Sequence, residues 1–234
     1  MSQTIEALWV DLDGTLVDTL GDFVAALEAV ARERGWPAPQ ASDVRQWIGR
    51  GGDHLIHDWL STSRQPMHLQ AEVKAQYDRH YRQVNGCHAQ VRAGTVQGLN
   101  GLQALGLPLA CVTNKPQANA HALLAQLGLL DYFAVLVGGS EAVRPKPAPD
   151  SLLQAAQRLG VPPSCSLMVG DSENDAAAAR AAGAWGVVLL RGGYNHGRPI
   201  ETEPAWAYLD ELSALPTLIA GARCAASLSR ARAP

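Results

Sequence analysis

The chain has none of the features that would carry it into a membrane or out of the cell. No apolar run among its 234 residues is long enough to span a bilayer. Residues 1–6 contain neither a basic segment nor the long apolar segment of a secretory signal. We therefore expect a cytoplasmic protein with no membrane partner.

Positive charge is not in excess either. The chain has 19 Lys and Arg against 22 Asp and Glu, which gives a net charge of −3. Proteins that bind nucleic acid through its phosphates usually present a basic surface, and this composition provides no general one. We expect small molecules as partners and no nucleic acid.

Cysteine is scarce and is not spaced as in a metal site. The four cysteines are Cys87, Cys111, Cys165 and Cys224, and two of them lie in apolar runs where a thiol behaves as a small hydrophobic group. We expect all four to be reduced. Hydrophobic residues make up 47% and charged residues 18% of the chain, so disorder is excluded as its main state.

What the sequence does contain is a regular alternation of short apolar runs and helical patterns. The predicted strands are residues 7–10, 109–112, 135–137, 166–169 and 186–190, and the predicted helices between and after them are 97–105, 116–127, 150–159 and 174–182. This alternation predicts an α/β fold with a doubly wound parallel sheet and helices on both faces.

Between the first two predicted strands lies a segment with helical patterning and no convincing strand. Its predicted helices are residues 22–35, 42–48, 53–60 and 68–84. We predict an α/β core formed by residues 1–17 and 85–234, with residues 18–84 inserted as a small all-helical cap. Residues 221–234 are expected to form a frayed helix end or a tail that is disordered over about the last ten residues.

Two carboxylates follow the first predicted strand directly. Asp11 and Asp13 belong to the sequence DLDGT at residues 11–15, and the preceding residues 7–10 are apolar. In an open α/β sheet this position is the carboxyl edge, where ligands bind. Two close like charges are costly unless a positive charge lies near them. A divalent cation is the simplest such charge, although a turn or part of a calcium loop would give the same short pattern.

Further polar residues follow three other predicted strands. Thr113 and Asn114 come after one of them, Lys146 lies between two prolines, and Asp171 and Asp175 surround the start of a helix. Each has a simpler explanation: Thr, Asn and Asp commonly cap helices, and a lone lysine is usually solvated. Their occurrence in order at successive strand ends favours a shared site for phosphate and a metal.

With these motifs, the chain resembles haloacid-dehalogenase-superfamily phosphohydrolases that carry a helical cap after the first strand. Within that superfamily, residues 49–52, 112–116 and 193–195 resemble the phosphoglycolate phosphatases. The resemblance implies that Asp11 is the nucleophile and forms an aspartyl-phosphate. It implies that Asp13 protonates the leaving alcohol and then deprotonates the attacking water.

The same resemblance implies a ligand set. Mg²⁺ would be held by Asp11, the backbone carbonyl of Asp13 and Asp171, all hard oxygen donors. Substrate oxygens would be bound by the remaining strand-end groups: Thr113, Asn114 and Lys146. Asp175 would orient Lys146 or a metal-bound water.

The predicted cap raises the question of substrate. Its glycine-rich loop, residues 49–52, could bring Arg50 to a substrate carboxylate such as that of 2-phosphoglycolate, or could be an interhelical turn with a solvated arginine. Alternatives are a phosphatase of a larger sugar phosphate such as N-acetylmuramic acid 6-phosphate, a β-phosphoglucomutase-like phosphomutase and a non-catalytic binding module. Haloacid dehalogenation is disfavoured because it needs neither a second aspartate nor magnesium. A monomer or a homodimer is expected.

Overall fold

A computed structural model describes residues 4–140 and 142–231, with side chains through residue 224. The strands are β1 (Ala7–Val10), β2 (Val17–Asp18), β3 (Gln90–Val91), β4 (Leu109–Pro116), β5 (Val135–Gly139), β6 (Ser166–Gly170), β7 (Gly186–Leu190) and β8 (Ala207–Leu209). The helices are α1 (Leu20–Arg34), α2 (Ala41–Trp47), α3 (Gly52–Thr62), α4 (Gln70–Val84), α5 (Thr95–Ala104), α6 (Gln117–Gln126), α7 (Asp150–Leu159), α8 (Glu173–Ala182) and α9 (Leu215–Ala231).

One parallel sheet contains six of these strands in the order β5-β4-β1-β6-β7-β8. Its central strand β1 is fully buried, and Trp9 lies opposite Ala110 of β4 and Met168 of β6. Because side chains alternate along a strand, Leu8 and Val10 join the apolar cluster under α5, α6 and α9, whereas Trp9 joins the cluster under α7 and α8. Helices on both faces confirm the predicted doubly wound fold.

The predicted elements agree with the structure within two residues at each end, with one exception. Strand β4 was predicted to end at residue 112 but continues to Pro116. The prediction also missed β8, a three-residue strand on the sheet edge, and the short pair β2 and β3. Such short segments contain too few alternating residues to stand out from loops.

Helices α1 to α4 pack around an apolar cluster of their own. Its large members include Leu27, Ile56, Trp59, Tyr77 and Tyr81. The chain enters this helical segment through β2 and leaves it through β3, and these two strands pair antiparallel, with Val17 opposite Val91. The helical segment is therefore joined to the sheet through neighbouring strands.

A buried carboxylate fastens the two connections together. Asp22, in the first turn of α1, is completely buried and accepts hydrogen bonds from the backbone N–H groups of Gly86 at 2.7 Å and His88 at 2.8 Å. Two backbone donors compensate its charge where water is excluded. The start of the helical segment is thus held against the residues that follow its end.

The carboxyl-terminal residues form a helix where they are described, one of the two alternatives expected from the sequence. Helix α9 continues through residues 221–231, which were predicted to be a frayed helix end or a tail. Residues 232–234, the rest of that prediction, lie outside the described residues. Among the helices described, none is both long and apolar enough to cross a membrane.

Candidate active site

Three neighbouring strands bring the predicted site residues to one edge of the sheet. Asp11 and Asp13 follow β1, Asp171 follows β6, and Thr113 belongs to the end of β4. Gly14 turns the chain after β1 with φ +85°, a conformation that residues with a side chain rarely adopt. The strand order β4-β1-β6 therefore places these groups side by side.

A cluster of buried acids lies at the centre of the site. Asp11, Asp171 and Asp175 each offer a carboxylate oxygen, and these oxygens all lie within 4.8 Å of one another. Burial raises the pKa of Asp11, and the nearby carboxylate of Asp175 raises it further against the Lys146 ammonium. Burial, followed by Asp11 and Asp175, also raises the pKa of Asp171. This is an excess of negative charge that a cation would relieve.

Lys146 is the buried cation of this cluster. Its Nζ lies 2.8 Å from Asp11 Oδ1 and 2.6 Å from Asp175 Oδ1, and it donates a hydrogen bond to the Val112 carbonyl at 2.9 Å. Burial alone would lower the pKa of Lys146, but Asp11 and Asp175 outweigh burial and raise it. The side chain therefore remains a cation, held between Asp11 and Asp175.

Asp175 has two sets of contacts. One oxygen contacts Lys146, and the other accepts hydrogen bonds from the Ser172 N–H at 3.1 Å, the Ser172 hydroxyl at 2.7 Å and the Asp171 N–H at 3.2 Å. Helix capping and the orientation of Lys146 are thus both present. The sequence left helix capping and the orientation of Lys146 as separate explanations for Asp175. Because a carboxylate has two oxygens, one side chain can do both.

Asp171 is held in a close-fitting backbone cradle. Its Oδ1 accepts a hydrogen bond from the Thr15 hydroxyl at 2.5 Å, and its Oδ2 accepts one from the Tyr194 N–H at 2.5 Å. A Cβ at Gly14 would lie 2.3 Å from Asp171 Oδ2, and a Cβ at Gly193 would lie 2.1 Å from it. Both glycines are needed to admit this carboxylate.

Thr113 and Asn114 lie at the same strand end but face different groups. Thr113 is buried, and its hydroxyl accepts a hydrogen bond from the Lys115 N–H at 3.2 Å. The Asn114 amide donates to the carbonyls of Gly49 and Lys146, each at 2.9 Å, and accepts from the Lys146 N–H at 2.7 Å. The Asn114 side chain therefore ties the loop that carries Lys146 to the loop between α2 and α3.

Arg50 contacts an acid that is not one of the predicted site residues. Its guanidinium forms an ion pair with Glu173 at the start of α8 at 2.9 Å, and its side chain is 39% exposed. The same Glu173 contacts Arg198 at 3.0 Å. The structure does not bring Arg50 into the cavity described below.

The structure adds a residue that the sequence analysis did not consider, Lys115. Its ammonium lies 2.9 Å from Asp13 Oδ1, donates to the Tyr81 hydroxyl and lies 5.1 Å from the centre of the Phe23 ring. Strand β4 continues past Thr113, and the two-residue period of a strand places Lys115 on the same side. That period was the available signal, and it was missed because β4 was predicted to end too early.

A cavity of about 60 Å³ separates the strand ends from the helical segment. By this measure it has room for roughly four to six water molecules. The strand ends contribute Asp11, Asp13, Thr113, Asn114, Lys115 and Lys146, and the helical segment contributes Phe23, Leu55, Lys74, Tyr77 and Tyr81. The strand-end half of the lining is thus charged and polar, whereas the helical half combines three aromatic rings with apolar side chains and the pair of Lys74 and Asp78.

Comparisons with known proteins agree with this arrangement. Residues 5–183 match the model of the haloacid dehalogenase-like hydrolases. A phosphoglycolate phosphatase of Cupriavidus necator is 41% identical over 220 residues, which cover 94% of this chain and 95% of that protein. A phosphoglycolate phosphatase of Escherichia coli is 35% identical over an alignment of 236 positions including gaps, which covers 92% of this chain and 93% of that protein.

A solved structure from Haemophilus somnus, described as that of a "predicted phosphoglycolate phosphatase", superposes with a TM-score of 0.85. It is 28% identical in sequence, and the match covers 93% of this chain and 99% of that one. The match to the family model covers well over half of the sequence, and both curated relatives are matched over most of their length. The chain belongs to the haloacid dehalogenase-like hydrolase family.

Proposed function

We propose that this hydrolase is a Mg²⁺-dependent phosphomonoesterase that converts 2-phosphoglycolate to glycolate and phosphate. One arrangement supports this most strongly: Asp11, Asp13 and Lys146 line one cavity of about 60 Å³, a size that suits a small molecule. The names of the relatives from Cupriavidus necator and Escherichia coli point to the same substrate. Residues 1–17 and 85–234 would form the catalytic core, and residues 18–84 the cap.

In the first step, an Asp11 carboxylate oxygen forms a bond to phosphorus while the bond from phosphorus to the leaving oxygen breaks. The Asp13 carboxyl gives its proton to that oxygen, so that glycolate departs as the free alcohol. In the second step, water attacks the phosphorus of the aspartyl-phosphate and Asp13 takes a proton from it. The bond from Asp11 to phosphorus then breaks, which restores the carboxylate and releases phosphate.

Lys146, Thr113 and the backbone of Asn114 would bind the oxygens of the transferring phosphoryl group. Lys146 is already a cation directed at Asp11, and Asp175 holds it there at 2.6 Å. Fixed donors of this kind stabilise the charge that redistributes in the transition state without reorganising. Asp175 thus acts by positioning Lys146.

The acidic cluster fits a magnesium ion. Its donors are hard oxygens, their excess negative charge is buried, and Asp171 is fixed by Thr15 and Tyr194. Asp11, the backbone carbonyl of Asp13 and Asp171 would hold the ion. When bound, Mg²⁺ would offset the repulsion between an anionic nucleophile and an anionic phosphate.

The cradle around Asp171 gives a test of this metal site. We expect Gly193→Ala to weaken the affinity for Mg²⁺ by about 10-fold or more, because displaced supporting groups commonly cost this much in metal binding. The new Cβ would lie 2.1 Å from Asp171 Oδ2. Isothermal titration with Mg²⁺ measures the affinity directly.

Gly186→Ala is the matched control, because a Cβ there meets its nearest atom at 3.6 Å, an ordinary contact. We expect its affinity for Mg²⁺ to stay within about twofold of the wild type. Equal affinities for the wild type and Gly193→Ala would contradict the placement of the ion at Asp171.

The proposed substrate is tested with a panel of phosphomonoesters in the presence of Mg²⁺ or EDTA. The panel contains 2-phosphoglycolate, ethyl phosphate, N-acetylmuramic acid 6-phosphate and glucose 1-phosphate, and phosphate release and glucose 6-phosphate formation are both measured. We expect the highest kcat/KM for 2-phosphoglycolate and no turnover in EDTA. A higher value for either sugar phosphate, or interconversion of the glucose phosphates, would contradict the proposed substrate.

A further inference from the structure

Lys115 is a buried cation whose contacts leave room for a ligand. Its side chain is 2% exposed, and it contacts two acceptors among the described residues, Asp13 Oδ1 and the Tyr81 hydroxyl. An ammonium group has three N–H donors, so one remains. Since Lys115 lines the cavity, that donor is available to a bound molecule.

The surroundings of Lys115 favour an anionic ligand. Its ammonium lies 4.7 Å from the centre of the Tyr81 ring and 5.1 Å from that of Phe23, and Tyr77 packs against Tyr81 with ring centres 5.4 Å apart. These rings exclude water from one side, and a charge pair is stronger where water is excluded. A carboxylate bound here would lie next to the Lys115 ammonium in an environment from which the aromatic rings exclude water on one side.

Tyr81 adds a second donor at the same place. Its oxygen accepts a hydrogen bond from Lys115, so its own proton can be donated elsewhere. Burial raises the pKa of Tyr81 well above its ordinary value, so the hydroxyl keeps this proton. Lys115 and Tyr81 can therefore offer one N–H and one O–H to the two oxygens of a carboxylate.

The other cations near the cavity each lie beside a different acid. Lys146 contacts Asp11, Asp175 and the Val112 carbonyl, Lys74 forms an ion pair with Asp78 at 2.6 Å, and Arg50 is paired with Glu173. The charge of Lys115 is the one closest to the proposed proton donor Asp13, at 2.9 Å. The ligand group it recognises must therefore lie next to the leaving oxygen.

We propose that Lys115, assisted by Tyr81, binds a carboxylate carried by the leaving group of the substrate. This inference rests on the proposed function. In 2-phosphoglycolate a single methylene separates the leaving oxygen from the carboxylate, so a substrate oxygen beside Asp13 places the carboxylate beside Lys115. Lys115 then selects for this short acid over neutral esters of the same size.

The experiment compares 2-phosphoglycolate with ethyl phosphate, which has the same two-carbon chain but no carboxylate. We expect Lys115→Met to lower the preference for 2-phosphoglycolate over ethyl phosphate, which is the ratio of their kcat/KM values, by about 30-fold. Only 2-phosphoglycolate loses a charged hydrogen bond, whereas any effect that acts through Asp13 is common to both substrates. Tyr81→Phe should lower the value for 2-phosphoglycolate by about 10-fold. Lys74→Met, the matched lysine of the same cavity, should keep the wild-type preference.

If Lys115 acted only by holding Asp13 in place, Lys115→Met would lower kcat/KM for both substrates by the same factor. This result would overturn the proposal. Loss of the preference in Arg50→Met but not in Lys115→Met would overturn it in favour of Arg50. Binding provides a second readout. In the Asp11→Asn background, Lys115→Met should raise the Kd of 2-phosphoglycolate but leave that of ethyl phosphate unchanged. A wild type that prefers the sugar phosphates would instead contradict the proposed function itself.

Discussion

Replacing Asp11 with Asn should abolish turnover of 2-phosphoglycolate, with kcat at least about 10⁴-fold below the wild type. An amide oxygen cannot form the proposed bond to phosphorus as a carboxylate does. The fold should persist, because Asn has nearly the same size as Asp and Lys146 keeps Asp175 as its counter-ion at 2.6 Å. Phosphate release under Mg²⁺ saturation measures the loss, and circular dichroism during thermal unfolding measures the fold.

Asp210→Asn provides the matched control for this variant. Its side chain is 83% exposed, forms an ion pair with Arg191 at 3.2 Å and is not among the residues that line the cavity. We expect its kcat to stay within about twofold of the wild type. Magnesium-dependent hydrolysis by folded Asp11→Asn at more than a hundredth of the wild-type rate would contradict the nucleophile assignment.

Lys146→Met should lower the free energy of unfolding by about 3–5 kcal/mol in magnesium-free buffer, since it leaves two buried carboxylates without their cation. The Lys146 side chain is 2% exposed and lies between Asp11 and Asp175. Turnover should fall with it by about 10³-fold, because the fixed cation for the phosphoryl oxygens is lost. Urea unfolding followed by circular dichroism measures the stability.

The loss of stability in Lys146→Met should also depend on pH. Lys146 lowers the pKa of Asp11, so its removal raises the pKa of that carboxyl in the folded protein. A carboxyl whose pKa is raised by folding stabilises the fold while protonated and loses that contribution as the pH rises through the folded pKa. The destabilisation by Lys146→Met should therefore be larger at about pH 8 than at about pH 5.

Lys74→Met is the control for Lys146→Met, because it removes a lysine that is not in contact with the acidic cluster. Lys74 is 20% exposed and pairs with Asp78 one helical turn away, an arrangement that contributes less than about 1 kcal/mol. We expect a correspondingly small change in unfolding free energy. Equal effects of Lys74→Met and Lys146→Met would contradict the view of Lys146 as the cation that balances the buried cluster.

The sheet could be predicted from the sequence because its central strands are short apolar runs buried on both faces. Residues 7–10 and 166–169 show no alternation, as expected of such strands, and glycines end several of the helices between them. The edge strand β8 could not be predicted in the same way. Its three residues are only half-buried and form a strand through pairing with β7.

The strand-end residues of the site were also predictable, since parallel strands deliver them to one edge. Asp11, Asp13 and Lys146 were named for this reason, and they line one cavity. Contacts between segments that are distant in the sequence could not be predicted in this way. Tyr194 supports Asp171 from 23 positions away, and its hydroxyl accepts the Thr19 N–H from 175 positions away, at 2.9 Å. Such contacts follow from the packing of whole elements and leave no periodic trace in the sequence.

The position of Arg50 illustrates the same limit. A glycine-flanked arginine in a loop between helices is compatible with a ligand contact or with an ion pair, and its neighbours in the sequence do not distinguish the two. In the structure its guanidinium contacts Glu173, 123 positions further along the chain. Lys115, by contrast, follows Thr113 on the same side of β4, and the sequence could have revealed it had the strand been extended.

The stereochemical course at phosphorus tests the proposed aspartyl-phosphate most directly. A 2-phosphoglycolate analogue made chiral at phosphorus with sulfur and isotopic oxygen is hydrolysed in isotopically labelled water, and the configuration of the product is determined. Each in-line displacement inverts phosphorus, so transfer to Asp11 followed by transfer to water predicts overall retention. Inversion would show that water attacks the substrate directly, and would contradict Asp11 as the nucleophile.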